Sequence, residues 1–156
     1  MKKIGKLEAV FWSIALPGFA QLLMGQLFKG SLFVFLEILI NVMGHFNTAI
    51  MYSFLGETEM ALRIVDYQWL MFYPCLYMFA MWDAYRSASP ETPIETLTFL
   101  PFVFGAYFIT VGLMYSPKVE IFGVIPGPVF FPMMALIPGL LIGHILRKIF
   151  LLIRKT

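Results

Sequence analysis

The sequence predicts an all-α integral membrane protein with four transmembrane helices and a broken N-terminal segment. Three observations lead there. First, 60% of the 156 residues are hydrophobic and only 13% are charged. A soluble domain carries roughly 25% charged residues, and half that number does not cover a water-soluble globule. Second, the apolar residues fall into five blocks, each near the roughly 20 residues that cross a hydrocarbon core of about 30 Å. Third, period-2 alternation is absent. Only helices or closed barrels satisfy the backbone in hydrocarbon, so helices remain.

The first block covers residues 9–28 and is interrupted by Pro17-Gly18. The basic start, with Lys2, Lys3 and Lys6, has the look of a signal-peptide n-region. Glu8 breaks the apolar run behind it, however, and no small-residue cleavage pattern closes it, so retention of this segment is expected. The second block is 31–55, the third 68–85 and the fourth 97–115. The fifth, 129–146, continues as a basic amphipathic tail to Thr156. The connections at 56–67, 86–96 and 116–128 are short, which argues for a single membrane domain over residues 1–156. Residues 1–88 would form a hairpin-type region and 89–156 would add two further helices and the tail. The stretch 122–132 holds Gly123, Pro126, Gly127, Pro128 and Pro132, and is expected to be irregular.

Lys and Arg are enriched on the cytoplasmic side of membrane proteins. If all five blocks cross, the two sides carry nearly equal basic charge and the basic tail falls outside. If the first block enters and returns, or lies in the interface, one side gathers Lys2, Lys3, Lys6, Lys29, Arg86, Arg147, Lys148, Arg154 and Lys155. The other side keeps Arg63 and Lys118. The second arrangement is the expected one: four spanning helices, both termini cytoplasmic, and a helix break at Pro17-Gly18 that suits a re-entrant hairpin. The alternative is five transmembrane helices with Pro17 as a kink.

Two stretches, Leu16-Pro-Gly-Phe-Ala-Gln-Leu-Leu-Met-Gly-Gln-Leu-Phe-Lys-Gly30 and Met81-Trp-Asp-Ala-Tyr-Arg-Ser-Ala88, carry a further signal. Together they resemble small bacterial membrane proteins related to the two-transmembrane-helix domain family. There a Pro-Gly…Gly-Gln…Lys-Gly type segment opens a hairpin, and a Trp followed by Asp-Ala-Tyr closes it. The resemblance covers residues 16–30 and 81–88. Ala20 stands where glycine is usual and Leu23 where tyrosine is usual. The resemblance implies a multi-pass protein of the bacterial cell membrane and a first segment that spans, and it carries no enzymatic activity that transfers to this chain.

Ionisable groups in hydrocarbon cost about 2.5–3.5 kcal/mol on insertion scales and therefore mark candidate sites. Glu37, Asn41 and His45 are spaced i, i+4, i+8 in the second block, and Thr48 extends the row. On an unbroken helix they form one polar seam. That seam reads either as a proton, ion or substrate path or as hydrogen-bonding glue between helices. Glu37 is expected to approach Arg86, His144 or the amides of Gln21 and Gln26. A second cluster, Gln21, Lys29, Asp83, Arg86 and His144, is expected at the cytoplasmic end. Asp83 and Arg86 there either pair with each other or with headgroups, or dock the Lys29 turn. Gly139 and Gly143 form a small-xxx-small motif that permits close helix approach within the chain or between copies. The single Cys75 and two histidines give no metal site, and no cofactor fingerprint or catalytic constellation is present. No basic stripe for nucleic acid occurs. The expected partners are the lipid bilayer and either a membrane-protein partner or further copies of the chain. The expected role is an accessory, assembly or scaffold subunit of a membrane complex. The alternative is a small oligomeric channel or transporter using the Glu37–His45 seam.

Overall fold

A computed structural model describes residues 4–88 and 96–154. Lys2, Lys3 and Lys155, and most of the polar connection expected at 86–96, lie outside the described residues. The chain is all-helical: α1 (Lys6–Ala15), α2 (Phe19–Leu23), α3 (Leu27–Met43), α4 (Phe46–Phe54), α5 (Thr58–Ile64), α6 (Tyr67–Leu70), α7 (Tyr73–Ser87), α8 (Phe99–Tyr115) and α9 (Gly127–Ile153). The only β-type pairing among the described residues is an isolated bridge between Ile121 and Val124.

Contacts along α7 give the layout. Lys6, at the start of α1, lies over the Tyr85 ring near the end of α7. Near the end of α1, the Ile14 carbonyl accepts from the Tyr77 hydroxyl, two turns back along α7. The chain then reverses at Pro17-Gly18, where Gly18 takes φ 98°, a left-handed value that glycine adopts without a Cβ clash. Gln21 on α2 and Lys29 on α3 are again beside Asp83. Phe33 stacks edge-on against Phe79, and Glu37 reaches Tyr73. α1 and α2 therefore form a V whose two open ends lie at the same end of α7, and α3 runs antiparallel to α7 along its length.

The turn between α2 and α3 closes tightly because two glycines face each other. A Cβ on Gly18 would lie 2.5 Å from the Gly30 carbonyl oxygen, and one on Gly30 would lie 2.9 Å from the Gly18 carbonyl oxygen. The Pro-Gly and Lys-Gly of the sequence thus mark the two sides of one backbone crossing.

α8 runs antiparallel to α7 and α9 antiparallel to α8. Gly143 meets Leu100 and Pro101, Gly139 meets Phe104, Gly105 and Phe108, and Gly112 meets Pro132 and Ala135. The Arg147 guanidinium closes the pair by donating Nε to the Thr96 carbonyl at 3.2 Å. Lys6, Lys29, Arg86, Arg147, Lys148 and Arg154 consequently share one end of the molecule, and Arg63 and Lys118 belong to the other. The six described members of the basic group of nine read from the sequence thus share one end.

Three expectations need correction. Residues 31–55 are not one helix. The chain bends by 65° between α3 and α4, with His45 in the left-handed region at φ 54°. α4 and α5 then form a short hairpin. It leans on the start of α9, with Phe54 against Phe130 and Thr58 against Gly127. The chain returns beside the bend, where Asp66 N–H donates to the Gly44 carbonyl at 3.2 Å. The third block likewise breaks at 71–72, between α6 and α7. Finally, residues 127–132, expected to be irregular, open α9. Pro128 sits in the first turn, where its missing N–H has no intrahelical role. Pro132 and Pro138 lie inside the helix, each depriving the carbonyl four residues earlier of its donor.

α9 is the one described helix that by itself is long and apolar enough to cross a membrane. Only 22% of its most apolar window is buried in the protein. α3 with α4 meets the same requirement as a bent pair, and α8 is a shorter apolar helix.

Candidate functional site

The strongest polar constellation lies at the basic end, where the two halves of the sequence motif meet. Gln21 is fully buried on α2. Its Nε2 donates to the Ala80 carbonyl at 2.9 Å and to Asp83 Oδ2 at 3.0 Å. Lys29, on the first turn of α3, donates Nζ to Asp83 Oδ1 at 2.9 Å. Both carboxylate oxygens of Asp83 are thus engaged by residues 54 and 62 positions away. The Asp83 side chain is 15% exposed and that of Lys29 44%. This is a half-buried, charge-assisted lock, stronger than a neutral hydrogen bond and weaker than a sealed ion pair.

Of the two arrangements open for Asp83, the structure adopts docking of the Lys29 turn. Arg86 does not pair with Asp83. Its guanidinium lies over the Trp82 ring, 5.4 Å from the centroid, and its side chain is exposed. His144 is exposed on α9, which packs on α8, α4 and α5.

The seam resolves differently from its spacing. Glu37 is half-buried, and its Oε1 accepts from the Tyr73 hydroxyl at 3.3 Å. It does not reach the basic-end cluster. Tyr73 and Arg86 are separated by about 20 Å of helix at roughly 1.5 Å per residue. Asn41 is buried, and its side chain spans the α3–α4 bend. Oδ1 accepts from the Asn47 backbone N–H and Nδ2 donates to Asn47 Oδ1, both at 3.2 Å. Asn47 occupies the second position of α4, so Asn41 supplies the acceptor that an N-cap side chain normally provides. His45, the actual N-cap residue, makes no side-chain cap and is exposed. The bend therefore removes His45 from the row formed by Glu37 and Asn41.

Gly139 and Gly143 lie in the α8–α9 interface. Added Cβ atoms would stand 2.7 Å and 2.6 Å from the Phe104 and Leu100 carbonyl oxygens. The small-residue motif thus serves contact within the chain.

Three contacts had no sequence signal: Tyr73 to Glu37, Tyr77 to Ile14, and Tyr67 to Ser116 at 3.2 Å. Tyrosines in an apolar block look like interfacial anchors or core, and only the fold shows which distant group each one meets. Among the described residues no group of three or more His, Cys, Asp or Glu is placed to hold a metal ion. No family model matches the chain, and neither the curated proteins nor the solved structures yield a match.

Proposed function

We propose that this chain is an integral membrane protein in which α3, α7, α8 and α9 span the bilayer and α1–α2 is a re-entrant hairpin entering from the basic side. That side is cytoplasmic in this reading, as the positive-inside rule requires. The charge division between the two ends supports it, and so does the return of α2 to the end from which α1 starts. Large apolar side chains on the outer faces of the helices, such as Phe11, Phe35, Phe79, Val103, Ile137 and Leu141, suit contact with lipid. The likeness to the two-transmembrane-helix domain family is, on the same reading, a shared hairpin closed by the Gln21–Lys29–Asp83 contact.

The role we propose is non-catalytic: an accessory, assembly or scaffold subunit of a membrane complex. The observation that carries it is the state of the acidic groups. Asp83 is held by Gln21 and Lys29, and Glu37 by Tyr73. These carboxylates tie helices together, and the α3–α4 bend interrupts the row that a conduction path would use. The test is native-state extraction into mild detergent, followed by mass measurement and identification of co-purifying chains. A stoichiometric unrelated membrane protein is the expected result. A homo-oligomer without partners, together with ion or solute flux in liposomes that Glu37→Gln abolishes, overturns this reading in favour of a channel or transporter.

A further inference from the structure

Between α7 and α8 lies an open groove of about 980 Å³. Its walls are apolar along nearly the whole length, from Cys75 and Phe79 on α7 to Val103 and Ala106 on α8. One charged residue, Arg86, lines the groove, at the basic end, with its guanidinium over the Trp82 ring.

The length of the groove is informative. Cys75 to Arg86 is eleven helical steps, about 17 Å at roughly 1.5 Å each. Half of a hydrocarbon core is about 15 Å. The groove thus runs from the basic end to the depth of one leaflet. A guanidinium offers several donors in a planar fork suited to phosphate. That of Arg86 stands where the headgroup of a lipid in that leaflet would lie. Asp83, one turn before Arg86, does not neutralise it, because both its oxygens are engaged by Gln21 and Lys29.

We propose that this groove is a binding site for one anionic glycerophospholipid of the basic-side leaflet. An acyl chain lies between α7 and α8, and the phosphate is held by Arg86, whose guanidinium rests on the Trp82 ring. The inference rests on the membrane reading above, and the two fail separately. Release of the chain from membranes by alkaline carbonate would sink the membrane reading. The outcomes below concern only protein that stays in the bilayer.

The experiment is native mass spectrometry of the full chain in detergent, titrated with phosphatidylglycerol or with phosphatidylcholine of the same acyl chains. One tightly retained phosphatidylglycerol is expected, with at least about tenfold weaker retention of phosphatidylcholine. Arg86→Gln, at an exposed position, is expected to remove that preference while leaving the helical circular dichroism unchanged. Ala106→Phe, which fills the groove, is expected to reduce retention of both lipids. The single cysteine gives an independent readout at the deep end. Phosphatidylglycerol should slow maleimide labelling of Cys75 in the parent protein and not in Arg86→Gln. Equal retention of the two lipids, an unchanged preference in Arg86→Gln, or Cys75 labelling indifferent to added phosphatidylglycerol would each overturn the proposal.

Discussion

The contact of α2 and α3 with α7 and the contact of α8 with α9 are made by different physics. The N-terminal half ties α2 and α3 to α7 through side chains: Gln21, Lys29 and Asp83 at one end, and Glu37 with Tyr73 further along. The C-terminal half ties α8 to α9 by removing side chains. Gly105, Gly112, Gly139 and Gly143 bring backbones close enough that a methyl group has no room at three of the four. In hydrocarbon, apolar side chains gain little by leaving lipid for protein, so association depends on polar contacts or on close packing. A polar lock gives direction and register. A glycine seam gives rigidity and tolerates no added volume.

The comparison breaks most sharply at the seam. Gly143→Val places new carbon atoms against the Leu100 carbonyl and the Pro101 backbone, neither of which can swing aside. A loss of about 3 kcal/mol is expected, read as a lowered midpoint when unfolding in mixed micelles is followed by circular dichroism. A change under about 1 kcal/mol would mean that α9 slides freely on α8. Asp83→Ala comes next, with about 2 kcal/mol expected, less than for a sealed pair because both partners are partly exposed. A cycle with Lys29→Met and Asp83→Asn should return a coupling of about 1 kcal/mol. Zero coupling would reduce the lock to the Gln21 contact. Asn41→Ala removes the acceptor at the start of α4, and about 1 kcal/mol is expected. Protection of the Asn47 amide in hydrogen exchange should fall while that of α8 does not. Smallest is Arg63→Ala. Its partner Glu59 and Arg63 itself are both largely exposed, and about 0.3 kcal/mol is expected. A large effect there would point to a contact of Arg63 beyond Glu59.

Much of the N-terminal half was legible in the sequence because proline and glycine are local instructions. Pro17-Gly18 announces a reversal wherever the rest of the chain goes, and the placement of Lys and Arg sorts the ends. The break after Gly44 was not legible. No proline marks it, and residues 31–55 have the composition of a continuous helix. It rests on Asn47 turned back to Asn41, six residues earlier, and on a group brought in from elsewhere, the Asp66 N–H on the Gly44 carbonyl. The seam Glu37–Asn41–His45 was drawn on a straight helix, so the same bend dissolved it. Pro132 misled in the opposite sense. A breaker by propensity, it is carried within α9, where it also packs on Gly112. The Lys29–Asp83 contact was visible as one of two arrangements, since sequence shows which charges oppose but not which pair; the Gln21 contact with Asp83 was not.

The distance along the chain between Lys29 and Asp83 has a consequence in time. The two residues are 54 positions apart, and ribosomes add roughly 5–20 residues per second. Asp83 therefore follows Lys29 into existence by about 3–11 s. Throughout that interval Gln21 and Lys29 await a carboxylate not yet synthesised. A nascent chain stalled before α7 would leave that amide and ammonium without their carboxylate.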